Sequence, residues 1–227
     1  MKPSLTERQK AAALVRIVDD EASVRSALTA FFTMADLHVA AYEDGASFLA
    51  RADFSVPGCV VLDVRLPGLS GIEVFDEMRR RGLKLPVIFL SAHGDIEMAV
   101  EAVQRGAKTF LVKPPKTEQL LEIVEEAAAE DFERRREAQY GRSVLRQWQS
   151  LTPAERQVAQ LIGKGMTNAA ASAVLGVAER TVRGQRASVY SKLEVQNAVE
   201  MAEFLHDLRE AQSMLDGTAS DEKERLP

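Results

Sequence analysis

The segment Leu14-Val15-Arg16-Ile17-Val18-Asp19-Asp20-Glu21 runs a β-branched apolar strand straight into three consecutive carboxylates. Four more strand candidates follow, at residues 37–41, 59–62, 87–90 and 109–112, each trailed by helical periodicity. Five β/α units joined by short connections predict an α/β domain: a five-stranded parallel, doubly wound sheet with helices on both faces. In such sheets ligands gather at the carboxyl ends of the strands, near the topological switch point. The carboxylates of the opening segment fall there.

Composition narrows the field. At 227 residues and 46% hydrophobic content, the chain suffices for one large or two modest domains. Cys59 is its only cysteine, which excludes a disulfide framework and a cysteine-rich metal site, and His38, His93 and His206 have no ligand spacing. No run of eighteen apolar residues occurs, and the first apolar stretch is broken by Arg16 and ends in acids, unlike a signal peptide. The expectation is a cytoplasmic protein with no membrane partner. Net charge is -5, yet residues 150–212 carry 7 basic and 7 acidic groups, and there Arg180, Arg183, Arg186 and Lys192 stand against Glu179 alone. This stripe is either a nucleic-acid contact or a solvated helix face.

A long helix is expected after Pro114-Pro115, with Thr117 as cap, Glu118 in its first turn and Leu120, Leu121, Val124, Ala127 and Ala128 as its apolar face. The charge-rich run "EDFERRREAQYGRS" has few apolar anchors and reads as a helical linker interrupted at Gly141. Thr152, Pro153 and Glu155 form a capping box that opens a second, all-α domain, with three further short helices divided at residues 163–165, near Gly176 and near residues 194–195. The expected domains are 1–127, a linker over 128–149, a four-helix unit over 150–212 and a disordered tail over 213–227.

Asp63 ends the strand "CVVLD", Ser91 the strand "VIFLS", and Lys113 follows "TFLV". With Asp19 and Asp20 these make three carboxylates, a hydroxyl and an ammonium along one sheet edge. Grouped carboxylates raise one another's pKa unless a cation neutralises them, and a hard, oxygen-seeking Mg²⁺ suits the purpose. Taken singly, each residue has a plainer use: Asp19 or Asp20 as a helix cap, Asp63 as a turn residue, Ser91 and Lys113 as solvated strand ends.

In combination, "VDDE", "VVLDVRLPGLSG", "FLSAHGDIEMAVEAVQRGA" and "FLVKP" resemble the receiver domain of two-component response regulators over residues 13–127. The resemblance implies that Asp63 is the phosphoacceptor for a sensor histidine kinase. It also implies that Asp20, Asp63 and the Arg65 carbonyl bind Mg²⁺, with Asp19 assisting through water. Ser91 and Lys113 would bind the phosphoryl group, Phe110 would be the switch aromatic, and the Lys113–Pro114 bond would be cis. An aspartyl-phosphate hydrolase would need a second carboxylate two residues after the nucleophile; Arg65 stands there, which favours a switch over an enzyme.

"LTPAERQVAQLIGKGMTN", "LGVAERTVRGQRASVYSKL" and "EVQNAVE" resemble the LuxR-type helix-turn-helix of the NarL/FixJ response regulators over residues 150–206. Val182, Val189 and Leu193, with Leu175 and Val177, would form its core. Arg180, Thr181, Arg183, Gly184, Gln185, Arg186, Ala187 and Lys192 would form its DNA-binding face. The sequence departs from the family pattern at Ala169 and Ala171 on the scaffold helix and at Gly184 and Gln185 on the recognition helix. The implied function is transcription control by a homodimer that forms on phosphorylation and binds a palindromic double-stranded DNA site. The alternative is a phospho-switch whose C-terminal domain makes protein contacts.

Overall fold

In the computed structural model the five strands are β1 (Leu14–Val18), β2 (His38–Tyr42), β3 (Gly58–Asp63), β4 (Val87–Ser91) and β5 (Thr109–Val112), within a residue or so of the expected bounds. The structure describes residues 5–92 and 96–223, so His93 in the expected motif and the last four residues lie outside the described residues. All pairings are parallel and the strand order is β2-β1-β3-β4-β5. Side chains alternate across this sheet with period two, and both faces are covered. Val15, Ile17, Cys59, Val61, Ile88 and Leu90 pack with Phe32 of α2 (Ala22–Met34) and with Leu120 and Val124 of α6 (Thr117–Gln149). Val18, Val60, Leu62, Val87 and Phe89 pack on the other side, with residues of α3 (Gly45–Arg51), α4 (Gly71–Arg80) and α5 (Ile96–Gln104).

Composition did not foresee α1 (Glu7–Lys10), although its signal is in the sequence: Thr6 and Gln9 form a reciprocal capping box. Leu5, just before it, is buried in the core. Arg16 is the exception to the apolar pattern of β1. It is fully buried, and its guanidinium donates to the carbonyls of Leu14 (3.0 Å), Val56 (2.7 Å) and Asp53. Nearby, buried Asp131 accepts from the Gly58 N–H (3.1 Å), Arg135 Nε (2.7 Å) and Arg134, and Arg135 donates to the Ser55 and Phe54 carbonyls. This network pins the loop before β3 to α6.

The chain divides into two compact units, Met1–Arg135 and Arg136–Pro227, and the division falls inside α6. Residues 128–149 are helical, but the expected break at Gly141 is corrected: the helix runs unbroken to Gln149, with Thr117 as its first residue rather than its cap. A Cβ at Gly141 would lie at an ordinary contact distance of 3.4 Å from Ala211 Cβ, so α6 and α10 pack side by side there. The second unit contains α7 (Pro153–Gly163), α8 (Asn168–Leu175), α9 (Glu179–Leu193) and α10 (Ala198–Lys223). Thr152 and Glu155 form the expected capping box, and Gly176 ends α8 with φ 67°. Val144, Val158, Ile162, Val182, Val189, Leu193 and Met201 are the centre of its core. Val177, expected there, is 39% exposed, because the left-handed Gly176 turns the chain outward before α9. The tail is likewise corrected, for helix α10 continues to Lys223. Leu208 and Ala211 are buried, and each residue added to a helix already formed gains a backbone hydrogen bond. Among the described residues no helix is long and apolar enough to cross a membrane.

Candidate functional site

The strand order changes direction between β1 and β3, whose ends are in register at Val18 and Leu62. One residue further on, Asp19 and Asp63 emerge side by side. The N-terminus of α4 packs closely behind them: a Cβ at Gly71 would lie 2.0 Å from the Asp63 carbonyl oxygen, so only glycine fits. Asp19 and Asp63 are buried and Asp20 is exposed, yet carboxylate oxygens of all three lie within 4.8 Å of one another. Helix α2 does not use them as caps, since its N-cap is Glu21 and makes no side-chain bond; Asp19 Oδ1 instead accepts from the Glu21 N–H at 2.9 Å.

Lys113, one residue past β5, donates to Asp19 Oδ2 (2.6 Å) and Asp63 Oδ2 (2.7 Å). The Lys113–Pro114 bond is cis. The other Asp63 oxygen accepts from the Arg65 N–H at 3.2 Å. Burial would lower the Lys113 ammonium, but the two carboxylates outweigh it and hold the pKa above its ordinary value. Burial pushes the Asp63 carboxyl above the usual range, against the pull of Lys113. Three carboxylates against one ammonium leave the cluster short of positive charge, which a cation would supply. Ser91 is buried at the end of β4, one residue past Leu90, the register partner of Asp63. Phe110 on β5 is half-buried against the α3–α5 side of the sheet.

In the second unit, Val182, Val189 and Leu193 bury one side of α9, leaving Arg180, Thr181, Arg183, Gly184 and Ala187 exposed and Gln185 half-buried. Arg186 and Lys192 have intrachain partners that spacing could not show. Arg186 donates to the Tyr190 hydroxyl (2.8 and 3.1 Å) and Asn168 Oδ1 (3.3 Å), and its guanidinium lies 5.2 Å from the Tyr190 ring centroid. Lys192 pairs with Glu155 Oε2 at 2.7 Å. Glu155 is more than a cap: it also accepts from Ser188 Oγ at 2.6 Å and so ties α7 to α9. Arg183 is largely exposed, with only a 3.5 Å contact to Glu179.

Comparison with known proteins agrees with this geometry. The family model "Response regulator receiver domain" matches residues 15–125, and "Bacterial regulatory proteins, luxR family" matches residues 149–205. The chain is 38% identical over 190 residues to Nodulation protein W of Bradyrhizobium diazoefficiens, covering 83% of each chain. It is 34% identical to the transcriptional regulatory protein FixJ of Azorhizobium caulinodans, covering 82% of this chain and 89% of that one. Among solved structures, response regulator StyR matches with a TM-score of 0.82 at 34% identity, over 86% of this chain and 99% of that one. Full-length FixJ from B. japonicum matches with a TM-score of 0.54 at 29% identity, over 86% and 97%. These relatives are transcriptional response regulators rather than enzymes. With an acidic pocket at the switch point of a doubly wound sheet and a basic helix after a glycine turn, the chain belongs to the FixJ/NarL-type response regulators, a receiver domain joined to a LuxR-type DNA-binding domain.

Proposed function

We propose that Asp63 accepts a phosphoryl group from a sensor histidine kinase in the cytoplasm, and that the phosphorylated chain dimerises and binds a palindromic double-stranded DNA site. The crowding of the Asp19, Asp20 and Asp63 carboxylates, with one ammonium on Asp19 and Asp63, carries this reading. Hard carboxylate oxygens, one of them on exposed Asp20, fit Mg²⁺. Asp20, Asp63 and the Arg65 carbonyl would hold the ion, with Asp19 assisting through water. When bound, it neutralises charge on the transferring group. An Asp63 oxygen attacks the phosphorus of the phosphohistidine, forming the P–O bond as the P–N bond breaks, and the electron pair returns to the imidazole nitrogen. The Lys113 ammonium, already on Asp63 Oδ2, balances the phosphoryl charge, and Ser91 donates its hydroxyl to a phosphoryl oxygen. Phe110 then repacks against the sheet as the switch aromatic.

On the DNA side, Arg180 and Arg183 are the exposed arginines of α9, while Arg186 and Lys192 are held within the unit and serve the phosphate backbone at its edge. So few cations give weak binding singly, and pairing two units on a palindrome raises affinity through effective concentration. The engagement of Arg186 and Lys192 also supports the second reading, in which the helical unit contacts protein. Sedimentation and fluorescence anisotropy with and without a small phosphodonor separate the two. A phosphorylated dimer that prefers a palindrome to its half-site supports the first; a phosphorylated protein that binds no duplex supports the second.

A further inference from the structure

Gly184 sits in the middle of α9, a helix already poor in end stabilisation: its N-cap Ala178 makes no side-chain bond, and it ends on Glu194 in a left-handed conformation (φ 57°). Glycine is about fivefold worse than alanine in the helix-forming equilibrium. Most other glycines described have an internal reason to be glycine: some have left-handed φ, such as Gly176 at 67°, and others would drive a Cβ into a neighbour, 2.4 Å from Leu205 at Gly163, while at Gly141 a Cβ would meet Ala211 at an ordinary contact distance of 3.4 Å. Gly184 has neither, for a Cβ there would meet nothing within 4 Å.

The position of this gap is informative. At about 100° per residue, Gly184 lies opposite buried Val182, Val189 and Leu193, on the crest of the helix, in line with exposed Arg180, Ala187 and Ser191. Nothing within the unit needs that crest bare, so the requirement has to come from what the crest docks against. The recognition helix of a DNA-binding unit docks against base edges in a major groove.

We propose that Gly184 is a close-approach residue. The bound duplex lies against the α9 backbone at Gly184, nearer than any side chain permits, and this contact sets sequence preference while Arg180 and Arg183 flank it. The inference rests on the DNA-binding reading above and adds to it the residue that fixes how deeply the helix seats.

The test uses the full chain activated with beryllofluoride and Mg²⁺, with a duplex enriched by that protein from a random-sequence pool as probe. Gly184→Ala should bind the enriched duplex about tenfold more weakly. It should bind a shuffled duplex within about twofold of the wild type, since phosphate contacts are untouched. Its unfolding in urea, followed by Trp148 fluorescence, should shift toward the folded state by about fivefold in the equilibrium constant. Equal or tighter binding of the enriched duplex by Gly184→Ala overturns the proposal, and so does a destabilised variant, which would reveal an internal role for the glycine. A wild type that enriches no duplex overturns the DNA-binding reading itself, and the proposal falls with it.

Discussion

Glu155→Gln probes the joint between α7 and α9. The carboxylate accepts from Lys192 Nζ (2.7 Å), Ser188 Oγ (2.6 Å) and the Thr152 N–H (2.8 Å). Lys192, then Ser188 and Thr152, hold its carboxyl down at about 2, against an ordinary value of 4.5. Full linkage across that interval would be about 3 kcal/mol, and solvent screening at Lys192, whose side chain is 36% exposed, brings it to about 1.5 kcal/mol. The sign follows from the direction: a depressed carboxyl contributes stability that is present above pH 4.5 and lost as pH falls toward 2. The sole tryptophan, Trp148, packs against the core of this unit, so its fluorescence in a urea titration reports the unfolding directly. Glu155→Gln should unfold about 1.5 kcal/mol more easily at pH 7, with the deficit shrinking as wild-type Glu155 protonates in acid. A variant as stable as wild type at pH 7, or a deficit undiminished in acid, would show that the Glu155 carboxylate does not hold α7 to α9.

Asp131→Ala leaves the Gly58 N–H and the guanidinium of Arg135 without their buried acceptor, and should destabilise the receiver unit by about 3–5 kcal/mol in a urea titration followed by circular dichroism. At Gly141, alanine meets Ala211 at ordinary contact distance and should stabilise the helical unit by up to about 1 kcal/mol, whereas leucine should overpack it and destabilise; melting temperatures give both signs. Burial pushes the Cys59 thiol up to about 12, so native protein at pH 8 should resist a thiol reagent that labels it at once in urea.

The fold was legible because both periodicities were clean: period-two strands feeding helices, and a capping box at Thr152–Glu155. The acidic pocket was legible for a topological reason, since parallel strands deliver the residues after Val18, Leu62, Leu90 and Val112 to a single edge. Side chains that act across long sequence separations were not. Nothing near Arg16 announces the carbonyls of residues 53 and 56, nor does Lys192 announce Glu155, because such pairs exist only after packing. The charged run at residues 130–143 misled for the same reason, as Asp131 is buried by partners 73 residues away. Gly141 reads as a helix breaker by propensity, and tertiary contact with α10 overrode it.

Phosphosite mapping after exposure to a small phosphodonor tests most directly whether Asp63 is the phosphoacceptor of a cation-dependent switch. A single phosphoryl group on Asp63, abolished by a chelator of divalent cations and absent from Asp63→Asn, is the predicted result. Phosphoryl transfer that persists in Asp63→Asn, or that proceeds unchanged in the presence of the chelator, would contradict it.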